Sequence, residues 1–130
     1  MEAELTVCDE VVTLVVSGEL DAYTSPQVRD RLVEALEQEA RWVLADLTRT
    51  EFIDSFFLGV LMGAGKRAGD KGGDITVICD RDHLLITFHR SGTTELLNVV
   101  PTRAQAEELI AGWKSASQDS GAECREEEDS

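Results

Sequence analysis

The sequence predicts one α/β domain, a mixed β-sheet of about four to five strands covered by about four helices. Two apolar, β-branched runs meet at Asp9-Glu10, which suggests a hairpin. Beyond them, short strand-like runs alternate with stretches whose apolar residues recur at helical spacing. The length of 130 residues, 42% of them apolar, suits one domain with one core.

The elements follow in order. Leu5–Val16 reads LTVCDEVVTLVV, and Val11, Val12, Leu14, Val15 and Val16 form its stronger strand. It ends at Ser17-Gly18-Glu19-Leu20-Asp21. Thr24 or Ser25 then caps a helix, with Pro26 in the first turn. Val28, Leu32, Ala35 and Leu36 face inward, and the helix should end near Ala40. Trp42–Leu47 suits a buried strand, after which Thr48–Asp54 leads into a second helix, Ser55–Ala68. That helix carries Leu58, Leu61, Met62 and Gly65 on one stripe, and Gly69–Gly73 stops it.

Asp74–Cys79 is the next strand. Asp82 can cap a third helix through Leu84, Leu85 and Phe88, which Ser91-Gly92 ends. Leu96–Val100 reads as a last strand. Thr102 caps a final helix with Ala104, Ala106, Leu109, Ile110 and Trp113 as apolar positions. The domain is therefore placed at residues 1–113. Residues 114–130 form an acidic tail that can bury too little apolar area to offset its ordering entropy.

Charge narrows the function. The formal net charge is −14, which would repel nucleic-acid phosphates and suits either a basic protein partner or solubility alone. No apolar run reaches the ~18 residues of a membrane span. Met1–Thr6 holds two Glu and no basic residue, unlike a secretion signal, so a cytoplasmic location is expected.

Catalytic and cofactor motifs are not found. Gly63-Ala64-Gly65-Lys66-Arg67 lies within a helix and lacks the spacing of a phosphate-binding loop. His83 and His89 are wrongly spaced for two ligands on one helical face. Cys8, Cys79 and Cys124 form no CxxC pair, and the first two read as core residues. No catalytic residue, metal site or cofactor is assigned.

Asp54-Ser55 stands out, because it lies where a loop enters an apolar helix. A Ser or Asp there ordinarily accepts a backbone N–H bond as a cap. The functional alternative is an exposed Ser55 that accepts a phosphate, whose negative charge the positive helix end would tolerate.

Val16-Ser17-Gly18-Glu19-Leu20-Asp21-Ala22-Tyr23-Thr24 is similar to the Gly-Glu-Leu/Ile-Asp segment of bacterial anti-sigma factor antagonists, the STAS-domain family. Val43–Val60, VLADLTRTEFIDSFFLGV, resembles that family's strand, loop and phosphoserine helix. Leu85–Gly92 resembles its helix ending in Ser-Gly or Thr-Gly, and the likeness runs from about Leu5 to Gly112.

The resemblance implies a STAS fold and partner switching rather than catalysis. The unphosphorylated antagonist would bind an anti-sigma factor with a histidine-kinase-like ATPase fold, and so release a sigma factor. The same partner would phosphorylate Ser55, and a PP2C-type phosphatase would reverse it. No nucleic acid and no membrane is implied. The docking face would comprise Asp21, Tyr23, Thr24, Asp54, Ser55, Phe56 and Gly59.

Phe56 and Phe57 stand where the family usually has a small residue and Gly. Helical spacing turns Phe57 to the core with Leu61 and Ala64, and Phe56 outward with Gly59 and Gly63. An exposed ring beside Ser55 would either hinder a kinase or anchor a particular partner, and the anchor is favoured. The alternative is a STAS interaction module that does not switch, as a scaffold or a subunit of a lipid-transport complex. An enzyme would need a pocket with convergent titratable groups, and a small-molecule sensor is indicated by nothing in the sequence.

Overall fold

A computed structural model describes residues 2–19, 24–38 and 40–117. The described strands are β1 (Glu2–Cys8), β2 (Val11–Glu19), β3 (Trp42–Phe52), β4 (Asp74–Ile78) and β5 (Val99–Val100). The helices are α1 (Thr24–Gln38), α2 (Ser55–Asp70), α3 (Asp82–Arg90) and α4 (Arg103–Ser117). The strands form one five-stranded sheet in the order β1-β2-β3-β4-β5. Only the β1–β2 hairpin is antiparallel, and the other pairings are parallel. This is the mixed sheet expected.

Asp9 and Glu10 close the hairpin with φ of 57° and 68°. A two-residue turn of type I′ needs that conformation at both central residues, and Asp tolerates it better than most side chains.

The pleat of β3 divides the core. Val43, Ala45 and Leu47 join the larger cluster, with Val12, Leu14 and Val16 of β2 and the buried faces of α1, α2 and α3. Trp42 and Leu44 join a smaller cluster with Ile78 and with Ala106 and Ile110 of α4. The helices thus cover both faces of the sheet, as parallel strands require.

Several boundaries differ from expectation. β3 does not stop at Leu47 but runs to Phe52, because β2 keeps pairing with it past a register shift between Val15 and Ser17. The fully buried Thr50 helps, since its hydroxyl donates to the Val16 carbonyl at 2.8 Å. β5 is shorter than Leu96–Val100. Asn98 has φ 50°, which breaks an extended run, and its side-chain amide donates to the Ile75 carbonyl at 2.8 Å.

Ser25 is not a cap. It lies inside α1, fully buried, with its hydroxyl unpaired. α1 stops at Gln38, and the Lys71 ammonium donates to the carbonyls of Leu36 and Ala40 just beyond its last turn.

Met62 leaves the predicted stripe and is 41% exposed. Phe57, Leu58, Val60, Leu61, Ala64 and Ala68 make the buried face instead. Asp82 opens α3 from within, and the N-cap position is Arg81, with no side-chain capping bond. Thr102 does accept the Gln105 N–H at 3.2 Å, as a cap should. α4 continues past Trp113 to Ser117, and Lys114 pairs with Asp9 at the hairpin. Residues 118–130, most of the expected tail, lie outside the described residues.

Candidate functional site

The parallel sheet determines where the site can form. Parallel strands leave their loops at the carboxyl ends, where helix N-termini also gather. β2 and β3 end side by side, with Glu19 opposite Phe52 in the register. Shortly beyond Phe52, α2 begins at Ser55.

The turn into α2 is fixed from several directions. Ile53 is buried and anchors it to the core. The His83 ring places Nε2 2.6 Å from the Glu51 carbonyl oxygen. The Arg81 guanidinium donates to the Thr48 carbonyl at 3.3 and 3.4 Å. The start of α3 therefore braces the end of β3.

Capping falls to Asp54. Its backbone is extended, at φ −110° and ψ 178°, and its Oδ1 accepts the Phe57 N–H at 2.9 Å. This relieves Ser55 of the capping duty and leaves it exposed at the first position of the helix. The capping expected at Asp54-Ser55 thus falls on Asp54. Phe57 is fully buried, while Phe56 next to Ser55 is 43% exposed.

Other expected residues lie further from the turn. Gly59 is exposed on α2, one turn below Ser55, and a Cβ there would meet nothing within 4 Å. Thr24 opens α1 and lines a shallow groove with Ala3, Gln27, Val28 and Arg31. Asp21 and Tyr23 lie outside the described residues.

Two further residues belong to this surface that the sequence does not point to. Phe52, at the end of β3, is 54% exposed and adds a second aromatic surface close to the turn. Thr48–Asp54 reads as a loop, so nothing in it signals a strand end at Phe52. Arg29 of α1 holds its guanidinium 5.8 Å from the centroid of the Phe56 ring. No local motif signals a contact between two helices so far apart in sequence.

The surroundings offer no catalytic grouping among the described residues. A groove beside α2, about 450 Å³, is lined by Met62, Gly63, Gly65, Lys66, Leu96 and Leu97. Lys66 is its lone titratable side chain, so it offers no acid–base pair. Cys79 is a buried free thiol whose pKa is pushed up, chiefly by burial, which makes it a poor nucleophile. Cys8 is half-buried and disulfide-bonded rather than a free core thiol. Among the described residues, no cluster of His, Cys, Asp and Glu is placed to hold a metal, and no helix is long and apolar enough to cross a membrane.

Comparison with known proteins gives a consistent result. The family model described as "Mlab, STAS domain" matches residues 5–100. The anti-sigma-B factor antagonist of Listeria monocytogenes is 30% identical over 88 residues, which cover 68% of this chain and 77% of that protein. The solved structure of the anti-sigma factor antagonist SpoIIAA in its unphosphorylated form aligns with a TM-score of 0.77 at 22% identity, covering 85% of this chain and 97% of that one. The Bacillus cell fate determinant SpoIIAA in its phosphorylated form aligns with a TM-score of 0.70 at 21% identity, covering 84% and 99%. These two likenesses concern the fold.

Proposed function

Because the chain belongs to the STAS-domain family of anti-sigma factor antagonists, we propose that it is a partner switch controlled at Ser55. Unphosphorylated, it docks on an anti-sigma factor with a histidine-kinase-like ATPase fold, and a sigma factor is released. That partner then phosphorylates it. The Ser55 hydroxyl oxygen attacks the γ-phosphorus of ATP, ADP leaves, and the hydroxyl proton passes to a base on the kinase. A PP2C-type phosphatase restores the serine by hydrolysing the phosphoester with water. The cycle is placed in the cytoplasm.

The observation that carries this reading is the division of labour at the start of α2. Asp54 satisfies the Phe57 N–H, and Ser55 stands exposed beside it. A kinase can therefore take the hydroxyl without dismantling the cap. SpoIIAA, which shares the fold, exists in a phosphorylated form, and this supports a phosphate on the present chain.

The electrostatics are adequate. A phosphate near −2 beside Asp54 sets like charges together at a contact centre. Every ~1.4 kcal/mol of repulsion or desolvation lowers affinity tenfold. Two such steps lower it about a hundredfold.

Intact-mass spectrometry after incubation with candidate anti-sigma kinases and ATP tests the switch. One added phosphate is expected on the wild type and none on Ser55→Ala. Stable binding to a candidate with no phosphate on either protein would instead support an interaction module that does not switch. Phe56 bears on that second reading, because its exposed ring is the acceptor's neighbour in the chain.

A further inference from the structure

We infer that Arg29 is the built-in counter-charge for a phosphate on Ser55, and that it leaves the Phe56 ring when the phosphate forms. This rests on Ser55 being the phosphoacceptor, and it adds how the chain itself responds.

Consider what a phosphate on Ser55 would meet. The Phe57 N–H, the usual ligand for an anion at this position, is already held by the Asp54 carboxylate at 2.9 Å. Asp54 is negative and sits beside the new dianion. The helix end therefore supplies only partial positive charge, with its Phe57 N–H already taken, and the Asp54 carboxylate opposes the phosphate.

Arg29 supplies what is lacking. Its guanidinium lies over Phe56, the residue bonded directly to Ser55. The guanidinium is not held firmly there. Its side chain is 47% exposed, and its ion pair is with the adjacent Asp30, 3.1 Å away and itself 70% exposed. A surface ion pair and an exposed cation–π contact are both weak. A bidentate arginine–phosphate pair is stronger than either.

Arg29, Gly59 and Gly63 line the groove between α1 and α2, and a Cβ at either glycine would meet nothing within 4 Å. Neither glycine confines the arginine stem from that side. Phosphorylation thus does two things at one turn. It adds negative charge, and it strips the cation from the face of Phe56. A partner that docks on that ring meets a changed surface even where the phosphate does not touch it.

The test installs phosphoserine at position 55 during translation, so that no kinase is involved. Phosphorus NMR then follows the second phosphate ionisation, ordinarily near pH 6, at low ionic strength. An arginine in contact favours the dianion and lowers the midpoint. We expect the wild-type phosphate to titrate about 0.5 pH below that of Arg29→Gln, with Arg29→Lys between them. The ring protons of Phe56 should shift on phosphorylation in the wild type and stay in place in Arg29→Gln. Coincident midpoints for wild type and Arg29→Gln would overturn the inference. Since Arg29 is exposed, both variants are expected to fold. A chain that no kinase phosphorylates would count against the proposed function and would leave these titrations as they are.

Discussion

Asp54 and Ser55 share a position that usually asks one side chain to do everything. Asp54 takes the cap, and Ser55 stays exposed beside it. The next two residues repeat the division with aromatic rings. Phe57 enters the core and Phe56 stays outside. A ring on the surface beside the proposed phosphoacceptor suits an anchor, since aromatic side chains dominate contact energy when a partner covers them. Phe56→Ala is expected to weaken binding to the anti-sigma factor more than tenfold by isothermal titration calorimetry. An unchanged dissociation constant would reject the anchor. The orientation of the two rings was legible in the sequence, because helical periodicity determines which of two neighbours faces inward. Arg29 was not legible, because its contact depends on how α1 and α2 pack, and periodicity within one helix carries no such information.

At the scale of elements, close approach governs several of the connections. A Cβ on Gly73 would lie 1.5 Å from the Arg41 carbonyl oxygen, so the turn before β4 passes directly against the chain entering β3. Backbone cannot step aside as a flexible side chain can. Gly73→Ala is therefore expected to destabilise the fold by at least ~2 kcal/mol in urea unfolding. A loss below about 0.5 kcal/mol would show that this turn relaxes freely. The glycine-rich stretch was readable as a stop signal, but the partner of Gly73 was not. The same limit explains β3. Thr48–Asp54 reads as a loop because it is polar, yet Thr50 turns a hydroxyl onto the Val16 carbonyl and keeps the strand in register. β5 departs the other way. Leu96 and Leu97 read as strand, and the left-handed backbone at Asn98 excludes it.

For the whole molecule, the alternation of apolar runs was enough to give the mixed sheet and its helices, because each connection between parallel strands has to pass over a sheet face. Which face each helix covers was beyond the sequence. α1, α2 and α3 share the larger cluster, and α4 alone closes the other. Switching and anchoring groups, as proposed, lie at the carboxyl ends of β2 and β3.

The placement of the indoles has a practical consequence. The chain has two tryptophans, and both belong to the smaller cluster under α4. Trp42 opens β3 while Ser55 follows its far end, a separation of about 30 Å at the usual rise per strand residue. Intrinsic emission should therefore report unfolding faithfully and ignore chemistry at the serine. Melting curves of the phosphorylated and unphosphorylated forms can be compared on one optical baseline, with no label. A clear spectral change on phosphorylation alone would mean that the event travels the length of the sheet and is more than a change of surface.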